Sequence, residues 1–221
     1  MTEASAPEQL VALVAGRPGP DLCGELARWG CEIASLGEID SSRRKAILGE
    51  RFVLWLGPRV IVDETLRTAA GRFVADPRGR VLSAPHVGHA GGLRVPLGDR
   101  VVLSAPGSAA VGPCGPIALE RGAVARLDLE IAVSIPQRVG EHLAAVNEES
   151  SGYASWAAGL GARPSWAALA WGPLRGTLRG CVGARGDRRR AFTISLLETF
   201  LWAATSAKLW EIQHPDREGP S

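Results

Sequence analysis

Apolar and polar positions alternate along the chain with two periods, and the boundaries between them set the expected elements. Residues 7–14 read as a short helical candidate, closed by Gly16-Arg-Pro-Gly-Pro20. Asp21 then suits an N-cap, and Leu22, Leu26, Trp29, Ile33 and Leu36 recur at helical spacing. A further short helix is expected after Ser41 or Ser42, although Arg43-Arg-Lys45 opposes the dipole of a helix start. From about residue 51 to 104 the reading switches to strands in three hairpins. Residues 52–56 and 59–62 flank Gly57-Pro58, residues 72–75 and 80–83 flank Asp76-Pro-Arg-Gly79, and residues 93–96 and 100–104 flank Leu97-Gly-Asp99.

The second half carries clearer periods. Leu127, Leu129, Ile131, Val133 and Ile135 alternate with Asp128, Glu130, Ala132 and Ser134, as in a half-buried strand. Pro136 suits the first turn of a helix striped by Val139, Leu143 and Val146. Residues 166–171 and 174–182 flank Gly172-Pro173 and predict another hairpin. After Asp187-Arg-Arg-Arg190 comes the longest helical pattern, residues 193–213, with Ser195 and Glu198 as a capping box and His214-Pro215 as the stop. The expected fold is α+β, a largely antiparallel sheet with helices packed on one face. The Gly- and Pro-rich residues 105–116 are the one candidate boundary, but neither side forms a closed set of elements. A single domain is therefore expected over 21–214, with an N-terminal segment 1–20 and a tail 215–221.

Composition narrows the class of function. The chain has 221 residues, 46% hydrophobic and 22% charged, enough apolar matter for a core. A net charge of +2 gives no bulk attraction to nucleic acid or an anionic membrane, so neither is an expected partner. Apolar stretches are short and broken by Arg, Gly or Pro, the start is acidic and polar, and the expected compartment is the cytoplasm. Cys23, Cys31, Cys114 and Cys181 form no C-x-x-C pair and read as reduced thiols.

Candidate chemistry is sparse. No nucleophile elbow, P-loop or zinc-protease motif occurs. His86 and His89 lack a third ligand close in sequence and read as surface histidines in a loop. Asp128 and Glu130, two apart on a strand, share a face able to hold magnesium, and the same spacing describes any water-facing strand. Arg175, Thr177 and Arg179 share a strand face and, with Arg188 to Arg190, make a cationic strip for an acidic peptide or phosphate. Trp166 and Trp171 stand beside them as candidate apolar anchors, and an exposed tryptophan is a natural contact for a protein partner.

From Leu127 to Trp210 the order of strand, helix ending in Val146-Asn-Glu148, Trp-containing hairpin and long helix resembles the YbjN-type, type III secretion chaperone-like family. That resemblance implies a non-catalytic, often dimeric protein-interaction module that binds a protein or peptide, with no cofactor. Arg43-Arg44, Leu48-Gly49, Ser83, His86, Asp128-Leu-Glu130 and Ser206-Ala-Lys208, in that order, resemble the landmarks of phosphopantetheinyl transferases. This alternative implies magnesium on Asp128 and Glu130, and coenzyme A. Leu209 stands where that family has a further carboxylate, so the implied transferase is catalytically degenerate.

Overall fold

The computed structural model of the protein describes residues 10–77, 79–112, 115–120, 123–164 and 166–215. Strand β1 (Leu10–Val14) is buried at all five positions. A short apolar run without alternation suits a strand covered on both faces, and this one lies inside the sheet rather than in a peripheral segment or a helix. Helix α1 (Pro20–Arg28) follows, with Gly19 rather than Asp21 at its N-cap and Leu22 and Leu26 buried. Next come β2 (Glu32–Ser35), α2 (Ser41–Glu50) and β3 (Phe52–Leu56). Asp40 caps α2 by accepting from the Ser42 and Arg43 amides, both at 2.8 Å, which places a carboxylate against the arginines at that helix start. Strands β2 and β3 pair with β1 on its two sides, both parallel to it.

Helix α3 (Glu64–Ala75) is capped by Asp63, which accepts from the Leu66 amide at 2.8 Å. It replaces the strand expected over 72–75. Leu66, Ala70 and Phe73 lie on one helical face, a period longer than a four-residue window reveals. The strand expected over 59–62 is a turn holding only the isolated bridge of Val60 to Val133. Strands β4 (Val81–Ala90) and β5 (Leu93–Ser104) form one long antiparallel hairpin that turns at Gly91-Gly92, both at positive φ. The turn expected at Leu97-Gly-Asp99 lies inside β5. There the register shifts opposite His86/Val87, and Gly98 adopts φ 92°, a bulge instead of a hairpin end.

Strands β6 (Ala109–Gly112) and β7 (Gly115–Ala118) make a separate two-stranded sheet. Strands β8 (Val124–Arg126) and β9 (Ile131–Ser134) both run parallel to β4. The alternating segment that begins at Leu127 becomes a strand only from Ile131. The main sheet has the order β2-β1-β3-β5-β4-β8, with β9 also on β4. The α+β class stands, and the sheet is mixed: antiparallel ladders join β5 to β3 and to β4, and the other ladders are parallel.

Three helices complete the chain: α4 (Val139–Gly159), α5 (Trp166–Gly183) and α6 (Arg188–Gln213). Helices cover both faces of the sheet, not one. Leu10, Ala12 and Val14 of β1 face the core that holds Leu26 and Phe73 from α1 and α3, while Val11 and Leu13 face the core that holds Ile47, Trp156 and Leu209 from α2, α4 and α6. The hairpin expected over 166–182 is the helix α5. Leu174, Leu178 and Val182 are four apart, a spacing that keeps one face in a strand and in a helix alike. Helix α6 starts at Arg188 because Asp187 accepts from the Arg189 and Arg190 amides. Ser195 and Glu198 are therefore buried in its middle and form no capping box.

Candidate functional site

The parallel unit β1-α1-β2-α2-β3 places β2 and β3 on opposite sides of β1, so the chain changes direction between β1 and β3. In open α/β sheets the carboxyl ends of the strands at such a point form a ligand crevice. Here α4 crosses it. A Cβ added to Gly152 of α4 would lie 2.8 Å from the Gly16 nitrogen, and one added to Gly57, just after β3, would lie 2.9 Å from Glu149 Oε1. Glu148 and Glu149 are about 100° apart around that helix and turn to different sides.

Glu149 enters a buried cluster of charges. Arg59, in the loop after β3, donates to Glu149 Oε2 at 3.1 Å and to Glu198 Oε1 of α6 at 2.5 Å. His142, seven residues before Glu149 and on the same face of α4, lies 2.7 Å from Glu198 Oε1. Arg100 of β5 donates to Glu198 Oε2 at 3.4 Å and keeps Nη1 3.9 Å from Glu149 Oε1. Both carboxylates are almost fully buried. Burial opposes ionisation of Glu198, but the charge of Arg59, the His142 hydrogen bond and Arg100 outweigh it and hold the carboxyl far below its ordinary range. For Glu149 burial is the larger effect and raises the pKa against Arg59 and Arg100. The difference follows from the bonds: Glu198 accepts from three side chains, whereas Glu149 Oε1 has no hydrogen-bond partner among the described residues. The carboxylates also push the Arg59 pKa upward despite burial, so its charge is permanent.

On the β3–β5 side the cluster floors a cleft of two adjoining cavities, of about 320 and 380 Å³, which share Leu97, Arg100, Arg179 and Trp202. Arg100 lies 5.3 Å from the Trp202 ring centroid, and Trp202 packs on Tyr153 at 5.5 Å. Arg179 Nη1 would meet a Cβ on Gly98 at 3.1 Å, so the guanidinium covers the bulge glycine. Arg175 lines the smaller cavity with Ser195, whose buried Oγ lacks a partner among the described residues. His86 stands in the wall of the larger cavity, buried on β4, not on the surface as expected. Its Nδ1–H donates to the Ala84 carbonyl at 3.0 Å, and burial followed by the Arg100 charge push its pKa down to about 3.

On the β1–β2 side lies a cavity of about 720 Å³. It is lined by the loop from Gly16 to Pro20, by Ser35 and Glu38 at the end of β2, and by Glu148, Ser151 and Ser155 of α4. The Arg17 amide donates to Glu148 Oε1 at 2.8 Å, and Ser35 Oγ donates to the Gly16 carbonyl at 3.2 Å. The first turn of α1 opens beside this loop.

The residues singled out in the sequence divide accordingly. Arg175 and Arg179 stay together because they are four apart, but on a helix. Thr177 turns away from them, is buried, and lies 3.3 Å from the Thr199 hydroxyl of α6. Trp171 is exposed, and the side chain of Trp166 lies outside the described residues. Asp128 and Glu130 are exposed, precede β9 instead of lying on it, and Glu130 is paired with Arg94. Lys208 does not meet them: its Nζ donates to Asn147 Oδ1 at 2.7 Å and Ser150 Oγ at 2.8 Å, tying α6 to α4. His89 is exposed, and among the described residues no three His, Cys, Asp or Glu side chains gather as a metal site. Cys23, Cys31 and Cys181 are free thiols, and Cys114 lies outside the described residues. Arg59, Arg100, His142, Glu149 and Glu198 were not legible as a site, since they come from four separate stretches, and Glu198 reads in sequence as part of a capping box.

No protein-family model matches the chain, and no curated protein or solved structure does so. No described helix is long and apolar enough to cross a membrane.

Proposed function

We propose that the protein binds a phosphorylated polyol of the nucleotide class in the cavity at the carboxyl ends of β1 and β2. The observation that carries this reading is a cavity of about 720 Å³ at the carboxyl ends of the parallel strands β1 and β2, beside the point between β1 and β3 that α4 fills. The lining supports the ligand class. Carboxylates such as Glu38, in the turn after β2, accept from vicinal ribose hydroxyls, and the Arg17 side chain offers positive charge to phosphate, while its amide is held by Glu148 of the same cavity. The loop Gly16-Arg-Pro-Gly-Pro20 differs from the three-glycine dinucleotide turn, and Pro20 carries no N–H, so fewer amides are on offer than in that turn.

Calorimetric titration with nucleoside mono- and diphosphates tests this. Saturable binding with a Kd below about 1 mM is expected, weakened about ten-fold or more by Glu38→Ala. Absence of heat with every nucleotide, or identical binding by the Glu38→Ala protein, would overturn it.

A second reading is favoured by Arg175 and Arg179, which have no ion-pair partner among the described residues and border the cleft beside Trp202. It is a non-catalytic interaction module that docks an acidic segment of a protein partner there. Pull-down followed by Arg175→Glu with Arg179→Glu distinguishes the two, since that double change should abolish partner capture and leave nucleotide titration unchanged.

A further inference from the structure

Helices α5 and α6 pack as an antiparallel pair through small residues. Gly176 faces Thr199 and Gly180 faces Ser195 so closely that a Cβ on either glycine would collide with its partner. With that seam fixed, the outward positions follow from helical spacing. On α5, Trp171, Leu174, Leu178 and Val182 fall within about 80° of arc and are exposed, Val182 to 88%. On α6, Phe192, Leu196 and Phe200 are four apart and also exposed. Arg175 and Arg179 on α5, and Ser195, Glu198 and Trp202 on α6, all turn to the cleft. At 100° per residue the α5 stripe points away from the Gly176 and Gly180 seam, and the α6 stripe lies about 80° from its own seam residues, so the pair carries two uncovered apolar stripes on adjoining outer sides, where scattered single residues would be ordinary.

The charges around this face are one-sided. Between Leu174 and Ala207 the chain carries six arginines against two carboxylates. Asp187 is engaged in capping α6, and Glu198 is buried on the cleft side. Arg185, Arg188 and Arg189 are exposed at the turn joining the helices, next to Val182 and Phe192. Backbone hydrogen bonds between Arg94 and Arg185, at 3.0 and 3.3 Å, hold that turn against β5.

We propose that these outer sides of α5 and α6 seat the protein on an anionic lipid surface, with the apolar stripes at the headgroup–acyl boundary and the arginines of the turn against lipid phosphates. An amphipathic surface with aromatic and leucine side chains on one side and arginines at its edge has the chemistry of an interfacial contact, not a span. The expectation of no membrane partner drew on short apolar runs and on the whole-chain charge; the local charge at this turn and the uncovered stripes are properties of the folded helix pair. A protein partner with an acidic rim is the competing occupant. Lipid fits better because the exposed apolar side chains spread over two helices and Arg185, Arg188 and Arg189 are exposed at the turn that joins them, the combination of apolar and basic groups that an anionic headgroup layer takes.

Co-sedimentation of the full chain with vesicles is the test. With phosphatidylcholine vesicles in which about a third of the lipid is phosphatidylglycerol, most of the protein is expected in the pellet; with phosphatidylcholine alone or in high salt, most remains in the supernatant. Leu178→Gln with Leu196→Gln, and separately Arg185→Gln with Arg189→Gln, should each cut the bound fraction several-fold while the melting temperature stays put. Lipids brominated on the acyl chain should quench part of the tryptophan emission, and Trp171→Phe should remove that part. Failure to sediment with anionic vesicles, or sedimentation indifferent to both double variants, overturns the proposal. So does a stable dimer that the Leu178→Gln, Leu196→Gln protein cannot form, because a second copy would then cover the face.

Discussion

Arg59 reaches two buried carboxylates from a loop, and truncating it would leave Glu149 and Glu198 in an apolar interior with Arg100 and His142 as their remaining partners. Removing one member of a buried charge pair costs about 3–5 kcal/mol, far above the cost of an exposed pair such as Arg80–Glu120. Arg59→Ala is thus expected to lower the urea midpoint sharply, and Arg80→Ala to leave it nearly unchanged. The pH dependence follows from the same interior. His86 takes up its proton at about 6.5 when unfolded but only near 3 when folded, so stability is full above the first value and declines as pH falls towards the second. Glu198, with its depressed pKa, acts in the same direction at lower pH, below about 4.3. Glu149 acts oppositely: its raised pKa favours folding at low pH and loses that contribution as pH rises through the folded value. Melting temperature should therefore fall between pH 7 and 5, chiefly through His86. His86→Gln should flatten the slope in that window whatever it does to the absolute value, and an unaltered slope would assign the titration elsewhere.

At the scale of elements, the α5–α6 seam depends on glycine. Gly180→Leu would drive a side chain into Ser195 and the Pro96 carbonyl beyond it, where the backbone cannot yield. Overpacking of this kind typically costs about 1–3 kcal/mol, and here it should also open the cleft by separating α5 from β5. Thermal unfolding measures the first effect, and increased protease cleavage within α5 measures the second. The same helices show why some elements were legible and others were not. Helices α1, α4 and α6 were found in sequence because their apolar positions recur at helical spacing, whereas α2 was expected without any such period. The central strand β1 was misread because full burial erases alternation, and α5 because residues four apart satisfy both periods. Thr177 would have separated the two readings: two positions from each arginine, it shares their face in a strand and leaves it in a helix, and it is buried. Gly98 misled in another way, since its positive φ marks a bulge within a strand as readily as a turn between two.

Across the whole molecule the charged cluster draws on the loop after β3, on β5, on α4 and on α6, while Lys208 ties α6 to α4 a second time. None of that convergence can be read from one stretch of sequence, because the participants lie up to 139 residues apart. The parallel N-terminal unit therefore has no closed surface of its own: the carboxyl ends of β1 and β3 are covered by α4, and Leu13 and Trp55 are covered by Trp156 and Leu209 from the C-terminal helices. Removing α6 would expose that core and strip Arg59 of its shortest ion pair. A chain built this way should unfold as one unit, and that unit includes β1, which the expected boundary at 21 left outside. Far-UV circular dichroism reports the helices, and tryptophan fluorescence reports packing such as the edge-to-face contact of Trp55 with Trp156 at 6.3 Å. The two signals should give coincident transitions in urea, and Arg59→Ala should move both midpoints together. Separate transitions, or a shift of one signal alone, would show that the N-terminal sheet and the C-terminal helices fold independently, and the buried charges would then be a contact between units instead of the joint that makes them one.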